Sequence, residues 1–203
     1  MSEAFWNGLW AGIFELCALG FVAGWVNLVY QRIRSRQDLR RDLIDEIDAF
    51  STDLYKPRKI YQYILQEQNK KQEGRDRASP VIDHPHQLSC LEAFTDAAGR
   101  FRAIQVKLVP LFGFDIELFA HYLAVWQAVR EVRKRMERGE DLYAEHENSS
   151  SSDALYRLLD QFRYRAQVTP SIQHKPSLLS APEGVEEQIK TRADEIYQHY
   201  LHS

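Results

Sequence analysis

The chain has 203 residues, of which 44% are hydrophobic, with 26 Lys and Arg against 29 Asp and Glu. This composition excludes a disordered tail, a collagen-like repeat and a low-complexity chain. Two cysteines exclude the disulfide framework of a small secreted domain and favour a reducing compartment. Because the net charge is -3, there is no basic field over the whole chain, so any binding of nucleic acid has to be local.

The first predicted element is a transmembrane helix over residues 5–30, which contain a single charged residue, Glu15. Such a helix is about 39 Å long and can span a hydrocarbon core of about 30 Å with some tilt. No Lys or Arg precedes it, whereas five arginines follow closely and are predicted to contact lipid headgroups: Arg32, Arg34, Arg36, Arg40 and Arg41. The positive-inside rule therefore predicts that the N-terminus lies outside and the C-terminus in the cytoplasm. The predicted location is the cytoplasmic (inner) membrane. The alternative is a buried hairpin of a soluble core.

The two faces of this helix differ in character, because small and polar residues lie opposite bulky aromatic ones. The small face comprises Gly8, Gly12, Glu15, Leu19, Ala23 and Asn27, with Gly20 at its margin. Glycines four residues apart let helices approach closely, and a carboxyl group facing lipid near the bilayer centre costs about 3 kcal/mol. We therefore expect a homo-oligomer in the lipid bilayer. One version is a pore lined by Glu15, as in a stress or antiviral defence effector, and the alternative is a lone tilted anchor.

The rest of the chain predicts helices only, since no segment alternates with period two over the length of a strand. Residues 31–56 form a juxtamembrane amphipathic helix, which we expect to end before Pro57 because proline lacks a backbone donor. Residues 57–203 form the cytoplasmic domain. The predicted fold class is all-α, a single N-terminal transmembrane helix over residues 1–30 that continues into a cytoplasmic bundle of about five helices.

Within this bundle, breaks and capping residues predict where the helices begin. A second helix follows Pro57, a third presents Phe94, Phe101 and Leu108 to the core, and a fourth begins near Asp115. A fifth is capped by Ser152, and the last opens with a capping box at Ser180 and Glu183 and with Pro182 at the helix start.

Arg192 and His199 stand seven positions apart, two turns along one face of the last predicted helix. The pattern resembles the R-x4-6-H signature of the HEPN ribonucleases, although Ala193 stands where that family often has a polar residue. The resemblance implies a small α-helical domain, doubled by a dimer, in which the Arg and His assist attack by the RNA 2′-hydroxyl without a metal. The alternative is a pair of surface residues without a catalytic role, and the same spacing recurs at Arg77 and His84 in a predicted loop.

Two further patterns bear on ligands. Asp83, His84, His86 and Cys90 offer donor atoms for zinc, but their spacing is not that of paired zinc knuckles, so we expect no metal and no other cofactor. The basic run at 130–138 is interleaved with acidic residues, which predicts a solvated helix face with internal ion pairs.

Together these patterns predict a single-pass membrane protein that is not primarily an enzyme. It oligomerises through its small transmembrane face and carries a helical cytoplasmic domain that senses or binds a partner, either RNA or protein. The alternatives are a membrane-tethered HEPN-like ribonuclease, with Arg192 and His199 in its active site, and a passive membrane-anchored scaffold.

Overall fold

The computed structural model describes residues 3–72, 85–142, 151–171 and 183–202, without the side chains of residues 3–24, 26, 32, 69–72 and 151. Over these ranges the chain forms five α-helices and no strand, which confirms the predicted all-α class. The helices are α1 (Glu3–Gln72), α2 (Pro85–Phe112), α3 (Ile116–Glu137), α4 (Ser151–Val168) and α5 (Val185–His202). The fourth predicted helix is confirmed as α3, because Asp115 is its N-cap and accepts a hydrogen bond from Leu118 N at 2.8 Å.

The chain divides into two compact units, Met1–Leu39 and Arg40–Ser203. Among the described residues, no helix is both long enough and apolar enough to cross a membrane. Most of the predicted span at 5–30, with the small face from Gly8 to Ala23, lies outside the described side chains, and of this face only Asn27 is described, as exposed. The transmembrane helix therefore stays a prediction.

The predicted helix end before Pro57 is wrong, because α1 continues through this proline to Gln72. An interior proline costs a helix about 3 kcal/mol, so tertiary packing has to offset the loss. Buried side chains lie on both sides of the proline, with Leu54 before it and Tyr61 and Leu65 after it. The helix predicted after Pro57 is therefore the second part of α1.

Two predicted helix starts are also wrong by a few residues. Ser152 lies inside α4 and is buried, and its carbonyl and hydroxyl oxygens accept hydrogen bonds from the buried guanidinium of Arg58. The last helix begins at Val185, after Pro182, because Gly184 has a φ of +82° that no helical residue adopts. Ser180 and Pro182 themselves lie outside the described residues.

Phe101 of α2 lies at the centre of an aromatic cluster that joins four helices. Its ring stacks on Phe50 of α1 and on Tyr122 of α3, with centroid separations of 4.4 and 4.8 Å. Phe162 of α4 meets the same ring edge-on at 6.0 Å, and Trp126 of α3 lies 6.3 Å away. Each such pair contributes about 0.5–1.5 kcal/mol beyond the area it buries, so the cluster fixes the rotation of these helices about their axes.

The other contacts of the bundle centre on α3, which packs against α2, α4 and α5. At one end of the bundle, Arg40 of α1 closes the C-terminus of α4. Its Nε donates to Ala166 O at 3.0 Å and its Nη2 donates to Thr169 O, while its guanidinium lies 5.3 Å from the ring centroid of Phe112. A cation is favourable here because the last carbonyls of a helix lack partners and carry partial negative charge.

We predict that Phe101→Ala lowers the free energy of unfolding by about 3–5 kcal/mol, because it removes a fully buried ring that four others contact. Val106→Ala is the matched control on the same helix, since Val106 is 75% exposed, and it changes stability by less than about 0.5 kcal/mol. Urea unfolding of the full chain in detergent, followed by circular dichroism, measures both. Equal losses in the two variants would contradict the central role of Phe101.

Candidate ligand-binding cleft

Helices α3, α4 and α5 enclose a cleft with a volume of about 390 Å³. Its lining combines charged and polar side chains with a small apolar part: Glu117 and His121 from α3, Gln161 and Arg165 from α4, and Arg192, Glu195, Ile196, His199 and Tyr200 from α5. The structure thus brings the two residues singled out by sequence, Arg192 and His199, to one cleft. Their catalytic role stays a prediction.

Arg192 is held by two carboxylates. Its Nε donates to Glu117 Oε1 and its Nη1 donates to Glu195 Oε2, both at 2.8 Å. These hydrogen bonds, first that of Glu195 and then that of Glu117, raise the pKa of Arg192 above its usual value. The side chain is 45% exposed, so the pairs add little stability, but they orient the guanidinium at the edge of the cleft.

His121 is the buried histidine of the cleft, with only 5% of its surface exposed. Its Nδ1 lies 2.7 Å from the carbonyl oxygen of Glu117, one turn earlier on α3. Because a carbonyl only accepts, Nδ1 carries the hydrogen, and Nε2 of the neutral ring is left as an acceptor. Burial lowers the pKa of His121, and the positive charges of Arg165 and Arg192 lower it further, against the opposing effect of Glu117.

Two polar atoms in the lining have no hydrogen-bond partner among the described residues: Arg165 Nε and Glu117 Oε2, both inaccessible to solvent. Nor does Arg165 form an ion pair with any residue in the described ranges. Buried polar groups in folded proteins are nearly always paired, with protein groups, water or ligand. The cleft therefore holds one donor and one acceptor without a partner, and because neither is accessible to solvent, a ligand reaches them only if the lining side chains shift.

Sequence reasoning missed the residues that α3 and α4 contribute to this cleft. His121 is a polar residue among the buried, mostly apolar residues of α3. This interruption of an apolar face is visible in the sequence and indicates a buried polar group. Gln161 and Arg165 carry no such signal, because polar residues four positions apart are ordinary on a helix surface. Only the packing of α4 against α5 brings Gln161 and Arg165 into the same cleft as Arg192.

The arginines predicted to contact lipid headgroups differ in their surroundings. Arg34 and Arg41 are exposed and Arg36 is half-buried, whereas the side chain of Arg32 is not described. Arg40 already binds the end of α4 and the ring of Phe112, a structural role that the sequence did not predict.

Among the residues that the structure describes, the other two sequence patterns form no second site. Asp83 and His84 lie outside the described residues, and burial raises the pKa of the Cys90 thiol. In the part of the chain that the structure describes, no three His, Cys, Asp or Glu side chains are placed to share a metal ion. The ion pairs predicted for the basic run are confirmed, for example Arg133 with Glu137 at 2.7 Å.

No protein-family model, no curated protein and no solved structure matches this chain. The resemblance to the HEPN ribonucleases therefore stays a pattern of two residues, Arg192 and His199.

We predict that His121 makes the stability of the protein depend on pH. Its pKa is lower in the folded chain than in the unfolded one, so the unfolded state binds a proton first as the pH falls. The contribution is fully present above the unfolded value of about 6.5 and is lost as the pH falls from there towards the folded value. His121→Gln should therefore lose less stability than the wild type between pH 7.5 and pH 5.

Urea unfolding of the full chain at the two pH values measures this difference. His202→Gln is the control, because His202 is exposed on α5, and it should behave as the wild type does. A His121→Gln protein that loses as much stability as the wild type would show that the buried imidazole is not responsible.

Proposed function

We propose that the protein is a single-pass membrane protein that oligomerises through residues 5–30 and holds a helical ligand-binding domain on the cytoplasmic side of the inner membrane. The observation that carries the proposal is a set of large apolar side chains exposed on the first unit. These are Trp25, Leu28, Val29, Tyr30 and Ile33, which are between 42% and 66% exposed.

These side chains have the composition of a membrane boundary. A contiguous group of exposed apolar residues is uncommon on a monomer in water and marks a surface that another apolar phase covers. Trp25 and Tyr30 are the residue types that concentrate where the hydrocarbon core meets the headgroups, and the exposed Arg34 follows directly. Together with the apolar sequence before Trp25, this order supports a helix that leaves the bilayer near residue 30.

The oligomeric part of the proposal is supported by the sequence pattern of the small face. Gly8 and Gly12 allow a second helix to approach, and Glu15 needs a protein or water environment. A chain with one span finds such an environment in a second copy of itself. A conducting ring lined by Glu15 is the stronger version of the same proposal, and it too lies outside the described side chains.

The first expected result concerns extraction from membranes. The wild-type chain stays in the membrane pellet after an alkaline carbonate wash. Replacing Leu16 and Val22 together by Arg releases it, because each Arg near the centre of a span opposes insertion by about 3 kcal/mol. The fraction of protein in the pellet, measured by immunoblot, gives the answer.

Two controls make this result specific. The paired Leu16→Ile and Val22→Ile changes keep the chain in the pellet, and Val106→Arg, on the exposed face of α2, does the same. Recovery of the wild-type chain in the supernatant would contradict a membrane anchor.

A second candidate function is metal-independent RNA cleavage, and the observation that favours it is the shared cleft of Arg192 and His199. In that reaction Arg192 polarises the phosphate while His199 accepts the proton of the attacking 2′-hydroxyl. The new P–O2′ bond replaces the P–O5′ bond, which leaves a 2′,3′-cyclic phosphate and a 5′-oxygen that takes a proton from water. The phosphate would have to compete with Glu117 and Glu195 for Arg192.

For this second candidate we expect the solubilised wild-type protein to cleave RNA in the presence of a chelator. His199→Ala should lower the rate at least about 100-fold, the usual contribution of a general base. His202→Ala, an exposed histidine on the same helix, should leave it unchanged. Equal cleavage by all three proteins, or no cleavage by any, would end the ribonuclease hypothesis.

A further inference from the structure

We propose that the cleft between α3, α4 and α5 binds the phosphate group of a small molecule that also carries hydroxyl groups, with Arg165 as the main contact. The inference supplies a ligand class for the binding domain of the proposed function. It does not depend on the membrane anchor, so the failure of one leaves the other standing.

Two other clefts of the bundle lack the feature that favours this one. In the cleft between α1 and α2, Arg100 is paired with Asp53 at 2.9 Å. Glu46, which lines the same cleft, is paired with Lys107 of α2. In the cleft between α3 and α5, Lys134 lies 3.9 Å from Glu131, and Arg130 is exposed to water. An additional anion at these places would meet cations that are already neutralised or well hydrated.

Arg165 differs because it is partly buried and carries a positive charge that no described carboxylate pairs with. Its Nε–H is shielded from solvent and has no acceptor among the described residues. The neighbouring His121 is held neutral by burial, so it adds no charge of its own. An anionic oxygen in the cleft would give the guanidinium its counter-charge, and it would also accept the missing hydrogen bond once the lining side chains shift to expose the Nε–H.

Arg192 of α5 supplies further N–H donors to the same cleft, although its charge is already balanced by Glu117 and Glu195. Only two of its five N–H groups are used by Glu117 and Glu195, and these bonds hold the group in place. Two guanidiniums on different helices suit an anion with several oxygens, and phosphate is the common biological group that has them. A carboxylate has only two oxygens, which one guanidinium occupies.

The rest of the cleft indicates what the phosphate is attached to. A volume of about 390 Å³ exceeds that of a phosphate group and leaves space beside Ile196 and Tyr200. Glu117 Oε2 is a shielded acceptor without a donor among the described residues, so it matches a hydroxyl group of the ligand. A sugar phosphate has this combination, and so has the headgroup of a phosphoinositide.

The test is isothermal titration calorimetry on the full chain in detergent, with ribose 5-phosphate, inorganic phosphate and ribose as probes. Ribose 5-phosphate should bind more tightly than inorganic phosphate, and ribose should not bind. Arg165→Gln should weaken ribose 5-phosphate at least tenfold, and Arg165→Lys should weaken it less. Arg130→Gln is the matched control, an exposed arginine at the neighbouring cleft, and should bind as the wild type does.

A second experiment distinguishes a soluble sugar phosphate from the headgroup of a phosphoinositide as the ligand. Micelles containing phosphatidylinositol 4-phosphate, titrated against the ribose 5-phosphate complex, displace the sugar phosphate if the headgroup enters the same cleft. Displacement assigns the cleft to lipid and lack of displacement assigns it to a soluble metabolite, and both agree with a phosphate site. Absence of binding by either phosphate probe, or equal weakening in Arg165→Gln and Arg130→Gln, would overturn it. Circular dichroism confirms that each variant is folded.

Discussion

The packing around Phe101 is the constraint on which the bundle depends. One ring on α2 contacts rings from α1, α3 and α4, so a rotation of any of these helices breaks an aromatic contact. The rotation of α3 and α4 about their axes matters for the cleft, because two residues of its lining are adjacent in sequence to rings of the aromatic cluster. His121 precedes Tyr122 and Gln161 precedes Phe162, so burying the two rings sets where the polar side chains lie. The apolar core thus positions a polar cleft to whose lining it contributes only Ile196.

Sequence patterns predicted the parts of this arrangement that depend on one helix at a time. The helical period predicted Phe94, Phe101 and Leu108 as core residues, and all three are buried. The errors arose where tertiary packing outweighs a local preference. Pro57 does not end α1 because buried side chains precede and follow it, for example Leu54 and Tyr61. Ser152 accepts a hydrogen bond from the distant Arg58 instead of capping its own helix. Of the nine residues that line the cleft, the sequence singled out only Arg192 and His199 as candidate site residues, and the residues from α3 and α4 depend on which helices meet.

The two arginines of the cleft differ in how their charges are paired. Glu117 and Glu195 both serve Arg192, whereas Arg165 has no such partner among the described residues. The carboxylates that orient Arg192 also compete with any anion that approaches it, so they favour a ligand with enough oxygens to bind both arginines. The same competition opposes an extended RNA backbone held by Arg192 alone. A small phosphate ligand therefore agrees better with this geometry than the ribonuclease reaction does.

We propose that copies of this chain associate through the small face of residues 5–30. The mass of the purified protein in detergent, measured by light scattering with the detergent contribution subtracted, tests this association. We expect a fixed multiple of 23.8 kDa for the wild type and a smaller mass for Gly12→Leu, which prevents close approach of the helices. A wild-type mass of 23.8 kDa, or one that Gly12→Leu leaves unchanged, would contradict it.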